Sequence, residues 1–398
     1  MSDLRTQARD MGEELRALRR ELHQIPEIGL DLPRTQETVL GALDGLPLEI
    51  STGNALSSIT AVLRGGAKSD GPVVLLRGDM DALPVTERTG LPYTSRHEGV
   101  MHACGHDLHT AGLVGAARLL SARRDELAGD VVFMFQPGEE GGHGAEKMIE
   151  EGILTAAGRK ADAAYGLHVL SYRLPSGRFG CRPGPLMSAS DGLFVDVIGQ
   201  GGHGAKPYLT RDPVPAACEM VLALQTMVTR RFSIFDPVLI TVGLITGGTK
   251  RNIIPDGVHF EATIRTYSPE NRVLVKRLCA EVLTGIAAAH GVRVELEHEA
   301  EYPVTVNDDT EAAFVAETAR EVFGEENYRP EPTPESPSED FSFVLQNVPG
   351  AFVFLGASDA PDPNSSPSNH SPLAVFDDSV VPDGATLLAE LAARRIAR

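Results

Sequence analysis

The sequence is poor in aromatic residues and in Cys. It contains no Trp, aromatic residues make up only 5%, and four Cys residues are scattered over 398 positions. Four widely spaced Cys residues do not form a disulfide framework, which excludes the small disulfide-rich class and fits a reducing compartment.

Basic residues are also scarce. The chain carries 36 Lys and Arg against 55 Asp and Glu, which gives a formal net charge of -19. Such an acidic surface repels phosphates, so we expect no nucleic-acid partner and no docking on an anionic membrane. No apolar run approaches the length needed to cross a bilayer. The first 20 residues lack the apolar core of a signal peptide, so we expect a cytoplasmic protein.

Glycine and proline are plentiful, with 40 Gly and 27 Pro. Many Gly-rich turns separate short apolar runs, which is typical of an α/β protein with functional loops. The length suggests about two domains. Helical spacing of apolar residues predicts helices over 4–22, 34–43, 108–123, 144–151 and 384–396.

Four short apolar runs lead directly into acidic or His residues. These are 73–76 before Asp79 and Asp81, 131–135 before Glu139 and Glu140, 163–167 before His168, and 351–355 before the loop that holds His370. Ligands of open α/β sheets bind at the carboxyl ends of the strands. We therefore expect these four segments to converge on one site.

The pattern changes near residue 187. Strand-like alternation at 193–197, 238–244, 258–266 and 292–297 is interleaved with helical spacing at 213–229 and 271–290. This β-α-β-β-α-β order resembles a ferredoxin-like sandwich inserted in a larger domain. We predict one domain from 1–186 and 307–398, and an inserted domain from 187–306.

The motif Met-His-Ala-Cys-Gly-His-Asp at 101–107 is the strongest chemical signal. Cys104 and His106 can face one cation if Gly105 allows a sharp loop, and the positive end of the following helix favours the thiolate. The alternative interpretation is a small buried Cys beside an exposed His.

Two acidic motifs accompany it. Glu139 and Glu140 are adjacent on a loop, so one can bind a metal while the other takes a proton from water. Asp79 and Asp81 project to the same side at a strand end and can bind a metal or orient a ligand His. Either motif alone also fits a solvated acidic turn.

The inserted region contains a Gly-flanked His203, a Gly-rich basic loop over 247–255 that includes Asn252, and Arg265 at a strand end. The sequence contains neither a P-loop nor the Gly-x-Gly-x-x-Gly signature of dinucleotide binding, so nucleotide binding is weakly supported. We interpret the remaining histidines mostly as surface or loop residues, with His102 and His109 as candidates for support of the metal ligands.

In this combination and order, the motifs resemble those of the aminoacylase-like amidohydrolases, a branch of the dinuclear metallopeptidases. The branch includes hippurate hydrolases, N-acyl-amino-acid hydrolases and auxin-conjugate hydrolases. The resemblance runs from the Arg-Arg-Glu-Leu-His stretch at 19–23 to Asn-His-Ser-Pro at 369–372, and the motifs at 101–107 and 136–142 are specific together.

The resemblance implies a metallo-aminopeptidase-like catalytic domain of α/β class with a mixed sheet, and a ferredoxin-like α+β lid that forms a homodimer. It also implies two divalent metal ions per subunit, cleavage of N-acyl amino acids, and Glu139 as general base. Asp81 is implied as a supporting acid, His203 as an oxyanion donor reaching the partner subunit, and Asn252 and Arg265 as carboxylate binders. The implied metal ligands are Cys104 as a bridge, His106, Glu140, His168 and His370.

Two positions depart from related patterns. The wider superfamily has a His ligand where Asp79 stands, but the aminoacylase-like branch shares this Asp, so we expect Asp79 not to be a ligand. Many members of the branch have His where this chain has Tyr208, which bears on specificity. Thiolate ligation favours zinc, whereas carboxylates and imidazoles accept manganese, cobalt or nickel.

Three alternatives remain at this point. A dipeptidase or carboxypeptidase of the same superfamily would use the same metal centre. A Cys hydrolase would use Cys104 as nucleophile and His106 as base, but the acids at 139 and 140 would raise the thiol pKa. A non-catalytic binding protein could share the scaffold. The few aromatic residues favour small or aliphatic acyl groups.

Overall fold

The computed structural model describes residues 3–67 and 70–398. The chain divides into two compact units. The first contains Met1–Leu186, Val306–Thr333 and Asp340–Arg398, and the second contains Met187–Thr305 and Pro334–Glu339. The catalytic role of the first and the lid role of the second remain predictions.

The helices are α1 (Leu4–Asp10), α2 (Gly12–Gln24), α3 (Pro33–Leu43), α4 (His106–Ser121), α5 (Gly144–Glu150), α6 (Pro213–Arg231), α7 (Pro269–His290), α8 (Asp309–Phe323), α9 (Ser342–Leu345) and α10 (Val381–Ile396). The strands are β1 (Leu48–Thr52), β2 (Ile59–Leu63), β3 (Val73–Asp79), β4 (Asp130–Gln136), β5 (Ala163–Pro175), β6 (Phe179–Cys181), β7 (Gly184–Met187), β8 (Ala189–Ile198), β9 (Gly202–His203), β10 (Val238–Gly247), β11 (Ile253–Ile254), β12 (Gly257–Thr266), β13 (Arg293–Ala300), β14 (Thr305–Asn307), β15 (Tyr328–Pro330) and β16 (Gly350–Ser358).

The first unit is built on an eight-stranded mixed sheet with the order β1-β2-β4-β3-β5-β16-β6-β15. The four central strands β4, β3, β5 and β16 are mutually parallel. They contain the four apolar runs predicted at 131–135, 73–76, 163–167 and 351–355, so the predicted convergence of their carboxyl ends is confirmed. The α/β class with a mixed sheet is confirmed as well.

Two local predictions need correction. The single helix predicted over 4–22 is wrong, because it is divided at Met11 into α1 and α2. Gly12 follows the break, and Gly is a weak helix former. The strand that delivers His168 is longer than its apolar run, because β5 continues to Pro175 and places His168 inside the strand rather than at its end.

The second unit has an antiparallel four-stranded sheet, in the order β10-β12-β8-β13, together with α6 and α7. Alternate residues of β12 are buried, and Phe260 lies in the core. Ser268 caps the start of helix α7, since its hydroxyl accepts a hydrogen bond from the backbone N–H of Asn271. Gly291, at φ 67°, follows the end of the helix. The β-α-β-β-α-β order predicted for this region is confirmed.

Within the described ranges, no helix combines the length and apolar character needed to cross a membrane.

Candidate metal centre

Cys104 and His106 are presented by the sharp turn that starts α4. Gly105 between them has φ 88°, and a Cβ at this position would lie 2.4 Å from Cγ2 of Val169. Only Gly fits this left-handed and crowded position. The turn buries both side chains, and Sγ of Cys104 lies 3.3 Å from Nε2 of His168.

His106 presents a single ring nitrogen to the site. Its Nδ1 is 2.9 Å from the carbonyl oxygen of Asp81 and donates to it, so in the neutral ring Nε2 is the lone-pair nitrogen. This Nε2 is buried and has no hydrogen-bond partner among the residues that the structure describes. A buried nitrogen lone pair without a donor is costly, and a bound cation would satisfy it.

His168 has the same arrangement. Its Nδ1 lies 2.8 Å from the carbonyl oxygen of Val169, so its Nε2 is directed towards Cys104. The remaining candidate, His370, adopts φ 71°, a left-handed conformation that is uncommon for residues other than Gly. Its backbone N–H donates to the carbonyl of Ala103 at 2.8 Å, and its Nε2 lies 3.1 Å from Oε1 of Glu140. Strain of this kind often marks a functional position.

Among the described residues, five groups of side chains could hold a metal ion, and two of these groups consist of the candidate ligands alone. One group is Cys104, His106 and His168, and the other is Cys104, Glu140 and His370; in each, the candidate ligand atoms lie within 4.8 Å of one another. The two groups share Cys104. The set of one thiol, three imidazoles and one carboxylate suits a pair of borderline divalent cations.

The electrostatics of the site also favour bound positive charge. Burial opposes protonation of His106, yet the carboxylate of Asp79 and the thiol of Cys104 raise the pKa of this His well above its usual value. The hydrogen bonds with Cys104 and Glu140 raise the pKa of His370 to about 10. The anionic groups thus draw protons onto His106 and His370, and metal cations can take the place of those protons. Burial instead lowers the pKa of His168 well below its usual value, so its ring is neutral and able to bind a cation.

Asp81 holds the loop that carries the two glutamates. Its Oδ1 and Oδ2 accept hydrogen bonds from the backbone N–H groups of Glu139 and Glu140, each at 3.0 Å. The carboxylate therefore fixes the start of this loop, and its own carbonyl fixes His106. Glu139 is 6% exposed, so its carboxylate lies in a largely water-excluded environment.

Asp79 is occupied by other partners. Its Oδ2 lies 2.6 Å from Nη1 of Arg77, and its Oδ1 lies 2.5 Å from Nδ1 of His109. The carboxylate is thus committed to two donors, which supports the expectation that Asp79 is not a ligand, although its Oδ2 is also 3.5 Å from Nε2 of His106.

His23 is buried, so its interpretation as a surface or loop residue is wrong; His102 and His109, the candidates for support of the metal ligands, are buried as well. His23 contacts Asp107, which is paired with a fully buried Arg19 at 2.8 Å. Buried charges require partners, and these partners come from segments remote in sequence.

Three further buried residues, Arg77, Gln136 and Asp340, had no predicted role of their own. These residues form a buried network behind the glutamate loop, in which Nη2 of Arg77 lies 3.1 Å from Asp340 and Nε2 of Gln136 lies 2.8 Å from it. One signal was available: Arg77 follows four apolar residues within a buried strand, and a charge in that position needs a partner.

The other three candidate residues lie in the second unit. His203 is exposed in β9, which pairs with β11. Asn252 immediately precedes β11, and its carbonyl accepts a hydrogen bond from the N–H of Gly204 at 2.9 Å. Arg265 lies in β12, where its Nη1 is 3.3 Å from Oγ of Ser338. The structure brings His203 and Asn252 together, whereas Arg265 lies on a different strand of that unit.

The chain is similar to known proteins over most of its length. The model of the peptidase family M20/M25/M40 matches residues 75–394. An N-acetyl-L-cysteine deacetylase of Bacillus subtilis is 36% identical over 382 residues, which cover 96% of this chain and 88% of that protein.

Two solved structures are similar over nearly their whole length. One, described as an aminohydrolase, is from methicillin-resistant Staphylococcus aureus; it has a TM-score of 0.92 and 30% identity and covers 99% of both chains. The other is a dinuclear metal-binding peptidase of Bacillus subtilis, with a TM-score of 0.83, 32% identity, and coverage of 98% of this chain and 99% of that one.

Proposed function

Since the chain belongs to the peptidase family M20/M25/M40, we propose that it is a metal-dependent amidohydrolase that cleaves N-acyl amino acids into a carboxylic acid and a free amino acid. The observation that carries the proposal is the pair of metal-capable groups that share Cys104, with Glu139 on the loop that also supplies Glu140. The similarity to a deacetylase of N-acetyl-L-cysteine supports an N-acetyl or other short acyl group.

Cys104, His106, Glu140, His168 and His370 would hold two divalent cations, with Cys104 as the shared ligand. When bound, such cations lower the pKa of water and polarise the carbonyl of the amide. The thiolate favours zinc, whereas the imidazoles and the carboxylate also accept manganese, cobalt or nickel.

The residues of the chain then perform the proton transfers. Glu139 takes one proton from the attacking water and delivers it to the nitrogen of the leaving amine as the C–N bond breaks. The carboxylate is buried and held through its backbone by Asp81, so little reorganisation is required during the reaction.

The second unit would contribute to substrate binding. Nδ1 of His203 accepts a hydrogen bond from the N–H of Ala205 at 3.0 Å, so the neutral ring carries its proton on Nε2. This exposed donor is suited to stabilise the oxyanion in the partner subunit's site. Asn252 and Arg265 would bind the substrate carboxylate, for which amide and guanidinium donors are well matched.

The proposed homodimer would form through the second unit. Strand β10 lies at the edge of its sheet, its ten residues carry no charge, and Leu239, Leu244 and Ile245 are 50%, 43% and 52% exposed. A long apolar edge without charged residues readily pairs with another strand. Pairing with the same strand of a second copy would close a twofold interface. A cytoplasmic location also remains a prediction.

The test is a hydrolysis assay on metal-loaded protein, with and without chelator. The panel contains N-acetyl, N-benzoyl and long-chain N-acyl amino acids together with dipeptides, because the dinuclear relative is described as a peptidase. We expect chelator-sensitive release of the free amino acid from one acyl class.

The Glu139→Gln variant should retain its metals and lose turnover by at least about 10²-fold, since general acid–base catalysis contributes roughly 10²–10⁴-fold. Glu150→Gln is the matched control, because Glu150 is exposed on α5 in the same region. Activity that survives chelation but not thiol alkylation would instead favour Cys104 as a nucleophile. Absence of turnover across the panel with both sites filled would contradict the proposal.

A further inference from the structure

Asp340 stands where the chain returns from the second unit to the first, and it is fully buried. Its carboxylate accepts hydrogen bonds from three separate segments. Nε2 of Gln136 lies 2.8 Å from both oxygens, Nη2 of Arg77 lies 3.1 Å from Oδ1, and the backbone N of Ala145 lies 2.9 Å from Oδ2. The backbone N–H of Asp340 also donates to Oε1 of Glu139 at 3.4 Å.

These contacts surround the loop that carries the proposed base. Gln136 ends β4 three residues before Glu139, and Ala145 lies at the start of α5 six residues after it. Both ends of the loop are thus bound to one carboxylate, and the carboxylate of Glu139 itself is bound to the backbone of the same residue. Asp81 holds the loop from another side through two N–H groups.

A simple charge-balancing role does not explain this geometry. Arg77 already has a buried carboxylate partner, Asp79, at 2.6 Å. Asp340 accepts hydrogen bonds from Gln136 and Ala145 as well as from Arg77. The oxygens of Asp340 are therefore used mainly to fix the ends of the loop.

We propose that Asp340 is a positioning residue that fixes the carboxylate of Glu139 for proton transfer. This inference rests on the proposed function, because it assigns Asp340 a part in the same hydrolysis. It differs from a role at the centre around Cys104, since Asp340 contacts Arg77, Gln136, Ala145 and Glu139. Its carboxylate also lies in a group with Glu139 and Glu339 that could hold a cation, so the metal content of the variants is measured alongside kcat.

The first test compares Asp340→Asn with the unaltered protein by steady-state kinetics on the best substrate of the panel. The assay is run at about pH 8, because burial raises the pKa of Asp340 to about 6 and its carboxylate is ionised there. Every side-chain partner of Asp340 is a donor, so the new amide N–H₂ must face one of them. A displacement of about 1 Å at a reacting group can cost on the order of 10²-fold. We expect kcat to fall by about that factor, with unchanged KM and unchanged metal content.

The second test is a swap, Asp340→Asn combined with Gln136→Glu. The new amide then donates to the new carboxylate, which still accepts from Nε of Arg77, a contact that Gln136 makes at 2.9 Å. The swap conserves both the charge and the number of donors. We expect kcat of the double variant to be at least about tenfold higher than that of Asp340→Asn. This ratio corresponds to an energetic coupling within the range found for residues in contact.

Glu311→Gln provides the matched control. Glu311 is also a buried carboxylate of the first unit, and it accepts hydrogen bonds from Tyr165 and from Arg395, the latter at 3.0 Å. This variant should lose stability without the selective loss of kcat.

The outcomes separate the two proposals. If the unaltered protein shows no chelator-sensitive turnover, the proposed function fails. If it is active but Asp340→Asn keeps kcat within about twofold, or loses kcat only in proportion to its metal content, the positioning role is overturned. If Asp340→Asn does not fold, Gln136→Met serves instead, since it removes the Gln136 contacts alone; an unchanged kcat in that folded variant would equally overturn the role.

Discussion

His109 offers the sharpest test of how the metal ligands are held. Burial lowers the pKa of its ring, so the imidazole is neutral. Nδ1 then donates to Oδ1 of Asp79 at 2.5 Å, and Nε2 accepts from the backbone N–H of Val169 at 2.8 Å. Val169 follows His168, whose Nδ1 bonds to the carbonyl of Val169. His109 thus holds the backbone of Val169, the residue whose carbonyl orients a proposed metal ligand.

The change His109→Leu removes both contacts while keeping an apolar side chain of similar size. The buried N–H of Val169 loses its acceptor, which costs about 1–3 kcal/mol, and Asp79 loses a hydrogen-bond donor. Partners that orient ligands typically contribute about 10–100-fold to metal affinity. We therefore expect metal affinity to fall by about that factor.

His109→Gln is the conservative partner of this variant. Its amide can donate to Asp79 and accept from Val169, as the neutral imidazole does. Its metal affinity should fall by less than about tenfold. The assay is a competition titration against a chelator of known affinity, with unfolding by urea measured in the metal-free state. If His109→Leu binds metal within about threefold of the unaltered protein, His109 does not position His168.

Three further outcomes are expected. Burial raises the pKa of Cys279 to about 12, so in native protein an alkylating reagent at about pH 8 should modify the exposed Cys218 and leave Cys279 unmodified, as mapped by mass spectrometry; equal labelling would contradict the packing. Burial raises the pKa of Asp107, but the guanidinium of Arg19 outweighs burial and holds this pKa well below its ordinary value of 3.8. The carboxylate therefore stabilises the fold above about pH 4, and this contribution is lost as the pH falls. The difference in unfolding free energy between the metal-free unaltered protein and Asp107→Asn should therefore shrink below pH 3.8, and a difference that grows on acidification would refute the assignment. Leu239→Lys places a charge on the β10 edge and should convert the proposed dimer to a monomer by light scattering, whereas a dimer of unchanged mass would exclude this edge as the interface.

Much of the metal centre could be predicted from the sequence, because its residues follow strands that are recognisable locally. Asp79, Glu139 and His370 all come after apolar runs, and parallel pairing of β4, β3, β5 and β16 brings those runs to adjacent positions. The Cys-Gly-His turn could also be predicted from the sequence, because a Gly between two potential ligands indicates a backbone conformation that other residues avoid.

The residues that hold these groups in place could not be predicted in the same way. Asp340 lies 204 positions from Gln136, at the end of a Pro-rich segment that resembles an ordinary loop. Burial of His23 is equally hard to predict from the sequence, since this residue lies outside any strongly apolar run and depends on a partner from another element. Local patterns identify which atoms can bind a cation, whereas long-range packing decides which atoms restrain them.

The two carboxylates that restrain the glutamate loop illustrate this division. Asp81 lies two residues after β3 and accepts from backbone N–H groups at the loop, so its role survives side-chain changes at positions 139 and 140 other than to Pro, which lacks the N–H. Asp340 is bound to a side chain on either side, Arg77 and Gln136, so its role depends on those identities. A side-chain substitution in the loop can therefore leave the contacts of Asp81 intact. A substitution of Asp340, in contrast, requires matching changes at Arg77 or Gln136. The loop of the proposed base is thus restrained by Asp81, whose contacts tolerate sequence variation, and by Asp340, whose contacts require particular partner side chains.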